Sequence, residues 1–579
     1  MMTLAAMACV SACNMGSGGG PVAVNLANSD APLSTDLTSR IDAEEIKAVY
    51  QANMADARAS YPDAEDVVLA HLRAQDFEIV EGMEPLEAYT KAIIKDLTGH
   101  LAVGDALDTV RVMVYHDTYA RALVTPLHVI LISTEMLKEL QGGDEYAGLI
   151  AHELSHILLG HFRADAFREQ QDKLARALSI GSLLFKAEVK DEETMTSEGT
   201  AGKLALGSQA FRDFAKAVMT PSWVRSEEEQ ADLFGFDLIV AAKDTYNPQS
   251  FGEFLINVGS AFADTKAVMA RYFELARDRT SRLLTENIAG EVKRELARTT
   301  SLEVMTSVFR AVDRLGCDYF DEEERYLKWE TYKKAAYNDA QLSYDGWGDT
   351  RYFDLVKEKN SPLHQILSDY WKVSDHIRAT EQGQTAESVS EGLTHASGAA
   401  GQSGLLRFSL FQGRIEQAAA AQDVQSAEQY RASALKNLQY GAENPNATGE
   451  QIGAYARAMA DAGRKEQALQ VLEKGRQALG SQDLFLEDEI YVYAAAGDQI
   501  EAGLRVTACV QRGMLKTLSC LAVARSVNPD IVEDTWLASN VDEAQSNQLT
   551  DWKQETVKIA GQMVRWVRGQ FDSGANVCK

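Results

Sequence analysis

The stretch "AHELSHILLGHF", residues 151–162, constrains the fold more than any other part of the chain. It places three histidines and one glutamate in an otherwise apolar segment. On a helix, His152 and His156 lie one turn apart on the same face, so two imidazoles can reach a single metal ion. Glu153 lies about 100° round the helix, next to that face. The alternative is a core helix that carries two satisfied histidines.

The H-E-x-x-H spacing is typical of zinc hydrolases. Zinc lowers the pKa of a bound water toward about 7, and the glutamate takes its proton as the water attacks a carbonyl. We therefore predict one zinc ion per chain, held by His152 and His156, with Glu153 as general base. His161 follows His152 by nine residues, about half a turn round a continuous helix. We expect it to point away, as a structural or surface histidine.

A zinc site needs a third protein ligand, and we expect it in "SWVRSEEEQADLFGFDLIV", residues 222–240. Three consecutive glutamates, 227–229, are candidates for the third zinc ligand. Glu228 shares one helical stripe with Asp232, an alanine and a glycine, and the two small residues allow close approach to another helix. Glu228 is therefore the predicted ligand. Asp232 is predicted to orient a ligating histidine through a hydrogen bond.

Length and charge limit the class of protein. A chain of 579 residues is too long for one compact core, which predicts three or four domains. A net charge of -28 disfavours contact with phosphate backbones, so no nucleic-acid partner is expected. No stretch reaches the roughly 18 consecutive apolar residues of a membrane-spanning helix.

The N-terminus, "MMTLAAMACVSACNMGSGGGP", is the candidate for targeting. A short apolar run ends in small residues before Cys13, and a Gly/Ser-rich stretch follows, as in bacterial lipoprotein signals. The first basic residue is Arg40, so the basic start of an export signal is missing. We predict lipidation of Cys13 and a periplasmic location, with attachment to the outer membrane by the lipid anchor only. A disordered N-terminal tail is the alternative.

Four further cysteines bear on the compartment. They are Cys317, Cys509, Cys520 and Cys578. Their even number is compatible with an oxidising compartment and equally with reduced core thiols. Their spacing matches no metal-binding knuckle.

Beyond residue 404, small and apolar residues recur every 34 positions. The recurring sets are Ala434, Ala468 and Ala502; Leu438, Leu472 and Val506; Gly441 and Gly475; and Gly463 and Gly497. A period of 34 with small residues where two helices cross is typical of tetratricopeptide repeats. The full consensus pattern is missing, so the alternative is an Ala-rich helical bundle.

Across about residues 80–300, the chain resembles the HtpX-like and CAAX-prenyl-protease-like metallopeptidases, a gluzincin family. The family motifs D-E-x-A, A-H-E-x-x-H and E-x-x-A-D read here as residues 144–147, 151–156 and 228–232. The resemblance implies zinc bound by the three predicted ligands, with Glu153 as general base. It also implies an edge strand near Leu127–Ile132 that pairs with the substrate backbone.

The layout is similar to the soluble periplasmic branch of that family, which places tetratricopeptide repeats after the catalytic domain. This implies polypeptide substrates, namely unfolded or misassembled envelope proteins, and a possible assembly-machinery partner bound through the repeats. Arg282 matches a family arginine expected to contact the substrate or transition state. Ala276 and Arg277 stand where the family has His-Pro.

These patterns predict an α+β zincin-type metallopeptidase domain, mostly helical with a small sheet, followed by an all-α tetratricopeptide-like repeat domain. The predicted divisions are a lipoprotein-type signal (1–13), a flexible tether (14–40), the zinc metallopeptidase domain (41–300), a helical segment of unknown role (301–380), a linker (381–404) and the helical repeats (405–579).

Two hypotheses of function follow. The first is a zinc endopeptidase that cleaves misassembled envelope proteins. The second is a catalytically quiescent protease fold in which the repeats act as a chaperone or assembly scaffold. The intact set of His152, Glu153, His156 and Glu228 favours the first, and the absent His-Pro keeps the second open.

Overall fold

The computed structural model describes residues 65–101, 107–161, 225–259 and 322–510, with gaps at 108, 126, 345, 347, 382–385, 397 and 482, and isolated residues 51, 520, 523 and 527. Cys13, the tether at 14–40 and Arg282 lie outside the described residues. Within the described ranges, no helix is both long enough and apolar enough to span a bilayer.

One four-stranded sheet lies in the N-terminal half. Its strands are β1 (Glu78–Ile79), β2 (Arg111–His116), β3 (Ala122–Val124) and β4 (Val129–Ser133). They are ordered β1-β2-β4-β3, with β2 and β4 parallel and the other two pairs antiparallel. The prediction of a mostly helical protein with one small sheet is thus confirmed for the described residues.

The strand that the family resemblance placed at a sheet edge is internal. Leu131 of β4 pairs with Met113 of β2 on one side and with Leu123 of β3 on the other. All five residues of β4 are buried, as expected of an apolar strand with neighbours on both sides. The prediction of an edge strand at Leu127–Ile132 is therefore wrong. Among the described strands, the edge on that side is β3, which pairs antiparallel with β4.

Helices pack on this sheet and on each other. In chain order they are α1 (Glu65–Ala74), α2 (Glu84–Thr98), α3 (Thr134–Glu139), α4 (Gly143–Leu158) and α5 (Arg225–Ala241). Helices α4 and α5 approach closely at Gly235, where an added β-carbon would lie 3.1 Å from the backbone nitrogen of His152. The small-residue stripe predicted on α5 therefore faces α4.

The hydrophobic core around the sheet continues past residue 300. The elements concerned are α6 (Glu322–Ala336), α7 (Asp339–Leu342), a π-helical turn (Phe353–Lys357) and α8 (Pro362–Glu381). Trp329, Tyr352 and Leu367 belong to the same hydrophobic core as Ile150 and Phe234. The hydrophobic core thus contains residues on both sides of position 300, and the division predicted there stays a prediction.

Helices fill the rest of the described chain. They are α9 (Ala386–His395), α10 (Gly404–Ala420), α11 (Val424–Ala442), α12 (Gly449–Asp461), α13 (Lys465–Leu479), α14 (Leu486–Ala495) and α15 (Gln499–Val510). The segment predicted as a linker, 381–404, contains α9 and packs Val389 and Ala400 against Leu406. Its described part is therefore a packed helical connection rather than an extended one.

The residues that recur every 34 positions are buried where helices cross. Ala434, Ala468, Ala502, Leu438, Leu472 and Val506 are all buried. A β-carbon on Gly475 would lie 2.8 Å from side-chain atoms of Ile452 and Phe485. This agrees with the need for small residues at close crossings, while the assignment to tetratricopeptide repeats stays a prediction.

A buried polar junction ties the sheet to these C-terminal helices. Glu78 Oε2 accepts hydrogen bonds from the Gly404 backbone nitrogen at 2.9 Å and from Gln451 Nε2 at 3.1 Å. His116 Nδ1 lies 2.9 Å from Ser403 Oγ. Because Gly404 is the first residue of α10, the Glu78 carboxylate satisfies backbone donors at that helix N-terminus.

The electrostatics of the junction favour an ionised Glu78. Burial opposes ionisation, but the contacts with His116, Ser403 and Gly404 outweigh it and hold the pKa of Glu78 below its ordinary value of 4.5. A carboxyl whose pKa is lower in the folded state stabilises the fold above the unfolded-state pKa. That contribution is lost as the pH falls through the lowered value.

We expect Glu78→Gln to lower the free energy of unfolding at pH 7 by about 1–3 kcal/mol, because buried donors lose a charged acceptor. The difference from wild type should shrink as the pH falls below the ordinary pKa of 4.5. Urea denaturation at several pH values measures both effects.

Glu81→Gln is the matched control, since Glu81 also contacts the C-terminal helices, through Asn446, but is exposed. Its effect should be within about 1 kcal/mol. Equal destabilisation by the two variants would contradict the special role of Glu78.

Candidate metal centre

Helix α4 carries its polar residues in a buried setting. Every residue from 145 to 158 is buried, the two histidines and the glutamate included. A helix that is covered on all sides is expected to be apolar all round, because buried polar groups are costly without partners. His152, Glu153 and His156 therefore need partners inside the protein, and the two histidines contact each other and Glu228.

The three predicted ligands converge. His152 Nε2 and His156 Nε2 lie 3.2 Å apart. Glu228 of α5 places Oε2 3.5 Å from His152 Nε2 and Oε1 3.7 Å from His156 Nε2. Within the described ranges, this is the one group of three or more His, Cys, Asp or Glu residues arranged to hold a metal ion.

The spacing of these donor atoms fits zinc. Zinc–nitrogen and zinc–oxygen bonds of about 2.0–2.1 Å in a tetrahedron separate two ligand atoms by about 3.3–3.4 Å. The observed separations are 3.2–3.7 Å. Two imidazole nitrogens and one carboxylate also form a donor set of catalytic zinc sites, which leave a fourth position for water. The residues present therefore fit a zinc ion.

Glu153 lies beside this cluster and is buried. Burial raises the pKa of Glu153 to about 7 in the metal-free protein, with a further upward contribution from Glu228 and opposing ones from His152 and Arg325. A carboxyl in this range can accept and release a proton near neutral pH. Glu153 thus interacts electrostatically with His152 and Glu228, while its role as general base stays a prediction.

Asp232 contacts the back of His152. Its Oδ1 lies 3.0 Å from His152 Nδ1, on the ring nitrogen that does not face Glu228. Burial disfavours the Asp232 carboxylate, but Arg325 and His152 lower the pKa of Asp232 to about 2. Asp232 is therefore ionised at neutral pH and lies against the Nδ1 side of the imidazole, while its role in orienting that ring stays a prediction.

His161 differs from the sequence prediction. Helix α4 ends at Leu158, and Gly160 adopts a left-handed φ of 69°. The backbone nitrogen of His161 then bonds the carbonyl of His156 at 3.1 Å, as in a Schellman motif. The predicted half-turn offset assumed a continuous helix and is wrong, because the chain reverses at this glycine.

As a result, His161 is buried against His156. The Nδ1 atoms of the two rings are 2.9 Å apart, and His161 Nε2 lies 3.3 Å from Gln230 Oε1. Burial lowers the pKa of His161 to about 4, so it is neutral at pH 7. It contacts the nitrogen of His156 that faces away from Glu228 and fixes the orientation of that ring. Gly160 at the helix end was the sequence signal for this reversal.

Sequence reasoning missed Arg325 altogether. From α6, its Nε donates to Asp232 Oδ2 at 2.8 Å and its Nη2 to Asp232 Oδ1 at 2.6 Å. Nη2 also lies 3.7 Å from Glu228 Oε2. No local pattern marks this residue, because the contact joins two helices that are far apart in the sequence.

The ligand cluster and a family match both support a metallopeptidase domain in this part of the chain. Residues 86–299 match peptidase family M48, and the match spans both helices that supply the cluster. Family M48 is zinc-dependent. No curated protein matches the chain.

The choice of Glu228 over its neighbours can be tested directly. We expect Glu228→Ala to weaken zinc binding by more than about 100-fold, beyond the 10–100-fold loss typical of a supporting residue. Purified wild-type protein should hold close to one zinc per chain by elemental mass spectrometry, and this variant almost none.

Glu229→Ala serves as the control, because Glu229 pairs with Lys328 and lies outside the ligand cluster. It should keep its zinc. Retention of zinc by Glu228→Ala, or its loss from both variants, would refute the assignment of Glu228.

Proposed function

We propose that this chain is a zinc-dependent endopeptidase that cleaves unfolded or misassembled proteins of the bacterial cell envelope. The observation that carries the proposal is the convergence of His152, His156 and Glu228 beside Glu153, inside the segment that matches family M48. Each of the four groups that the chemistry needs is present.

Each residue of the site has a separate role in the proposed hydrolysis. When bound, a zinc ion supplies Lewis-acid activation of water and of the substrate carbonyl. His152, His156 and Glu228 hold it, while Asp232 fixes the orientation of the first imidazole. Glu153 takes the proton of the attacking water and passes it to the leaving amine nitrogen. Burial keeps bulk water from competing at these groups.

Substrate entry is proposed along β3. This strand forms the sheet edge and contacts α4, the helix that carries Glu153. In the antiparallel register with β4, Leu123 bonds Leu131, so Ala122 and Val124 direct their backbone groups outward. Ala122 is partly exposed. An extended peptide that pairs here would lie next to the catalytic groups.

Two observations support an envelope location. Cys520 is disulfide-bonded, which favours an oxidising compartment. The sequence around Cys13 has the pattern of a lipidated N-terminus. We propose that the protein is periplasmic and anchored by lipid to the outer membrane.

The C-terminal helices are proposed to recruit substrates or the assembly machinery. Helices α10 to α15 pack as successive pairs with small residues where they touch, and helical arrays bind extended or helical segments. The layout resembles the soluble branch that includes the β-barrel-assembly-enhancing protease, so we propose envelope quality control as the role.

A catalytically quiescent scaffold is the second candidate. The replacement of the family's His-Pro by Ala276 and Arg277 favours it, because a residue that assists the site is absent. In that case the C-terminal helices would carry the function as a chaperone or assembly scaffold.

Glu153→Gln separates the two functions. The amide keeps the shape of the side chain but cannot accept the proton, so kcat for cleavage of an unfolded protein should fall by about 10²–10⁴-fold. Zinc content should be unchanged, because Glu153 lies outside the ligand cluster.

Glu229→Gln is the control and should cleave like wild type. If Glu153→Gln also cleaves like wild type, the observed hydrolysis has another source and the endopeptidase proposal fails. If wild-type protein binds zinc but cleaves nothing, the scaffold function is favoured.

A further inference from the structure

Helix α6 lies beyond the end of the family M48 match, yet it packs along α5, the helix that carries Glu228. Several polar contacts join the two helices among the described residues. Arg325 contacts Asp232 and Glu228, Lys328 contacts Glu229, and the Tyr332 hydroxyl donates to Asp237, as does that of Tyr337 directly after α6. Of these residues of α6, Arg325 is the one that contacts a predicted metal ligand.

The Arg325–Asp232 pair has two parallel hydrogen bonds. A guanidinium that donates from Nε and Nη2 to both carboxylate oxygens fixes the plane of the carboxylate. Asp232 Oδ1 accepts one of these bonds and also lies 3.0 Å from His152 Nδ1. A rotation of the carboxylate would therefore disturb Arg325 and His152 together.

The charges of the buried side chains also indicate that Arg325 supports the metal centre. Glu153, Glu228 and Asp232 are all buried, which brings three carboxylates into one small volume. A divalent ion with neutral histidine ligands supplies two positive charges. Arg325, 3.7 Å from Glu228, supplies a third. Without Arg325 the ionised site would hold an excess negative charge away from water, which is costly.

We propose that Arg325 is a positioning residue of the metal centre, which holds Asp232 against His152 and makes retention of the metal depend on helix α6. The inference rests on the proposed zinc site. It extends the proposed metal centre past the M48 match, to helix α6.

A merely structural role is the competing explanation, in which Arg325 only attaches α6 to α5. Lys328 provides the matched control. It lies on the same helix, three residues further on, and pairs with Glu229 on α5. Lys328→Met removes an ion pair between the same two helices without touching the contacts of a predicted ligand.

The test uses the full chain as wild type, Arg325→Met, Arg325→Lys and Lys328→Met. Metal-free protein is titrated with Zn²⁺ in competition with a chromogenic chelator at pH 7. We expect Arg325→Met to weaken zinc binding by about 10–100-fold, as for other residues that support a ligand. Lys328→Met should bind as wild type does. The zinc affinity of Arg325→Lys should lie between those of wild type and Arg325→Met. Lysine keeps the positive charge but cannot form the two parallel hydrogen bonds of the guanidinium.

Visible absorption of the Co²⁺-substituted proteins gives a second readout. Arg325→Met should change the spectrum, because His152 loses its fixed orientation, while Lys328→Met should not.

The outcomes distinguish this inference from the proposed function. Wild-type protein that binds no Zn²⁺ would end the proposed function itself. A different result would overturn only the role of Arg325. In that case wild-type protein binds Zn²⁺, and Arg325→Met and Lys328→Met have equal Zn²⁺ affinities and equal Co²⁺ spectra. Circular dichroism and thermal unfolding show whether the variants fold. If Arg325→Met does not fold, the inference is tested with Arg325→Lys instead. A Zn²⁺ affinity and a Co²⁺ spectrum of Arg325→Lys equal to those of wild type would then overturn the inference.

Discussion

Helices α4 and α5 meet at Gly235, where a β-carbon would lie 3.1 Å from the backbone of Ala151 and His152. This close approach sets the distance between the two helix axes, and with it the distance from Glu228 to the histidines of α4. Any larger side chain at this position would separate the helices. The arrangement of the predicted metal ligands therefore depends on the glycine at position 235, which lies seven residues along α5 from Glu228.

Burial of α4 determines what surrounds the ligands. Because the helix is covered on all sides, each polar side chain on it requires a partner. His152 is held by Asp232, which is held by Arg325, and His156 is contacted by His161, which contacts Gln230. These two chains of contacts leave the Nε2 atoms of both histidines turned toward Glu228. The orientation of the ligands therefore depends on contacts that other parts of the fold make with them.

The parts of the site that local helix geometry determines could be predicted from the sequence. The spacing of His152 and His156 and the stripe around Glu228 depend only on 3.6 residues per turn, and the structure brings these residues together. The buried small residues that recur every 34 positions followed from the same kind of argument. His161 and β4 were placed wrongly, because a helix end and a strand order depend on where the chain reverses. Arg325 could not be found, because its contact with Asp232 depends on tertiary packing between distant segments.

The shared core has a consequence for the order in which the chain folds. Its side chains run from Val80 to Leu367, so the aromatic cluster around Trp329 and Tyr352 is not available until most of the polypeptide has been synthesised. Domains generally fold as units as they emerge. A nascent chain that has exposed only the H-E-x-x-H segment therefore lacks a complete core around it. The surroundings of the metal-ligand cluster are therefore complete only after most of the chain has been made.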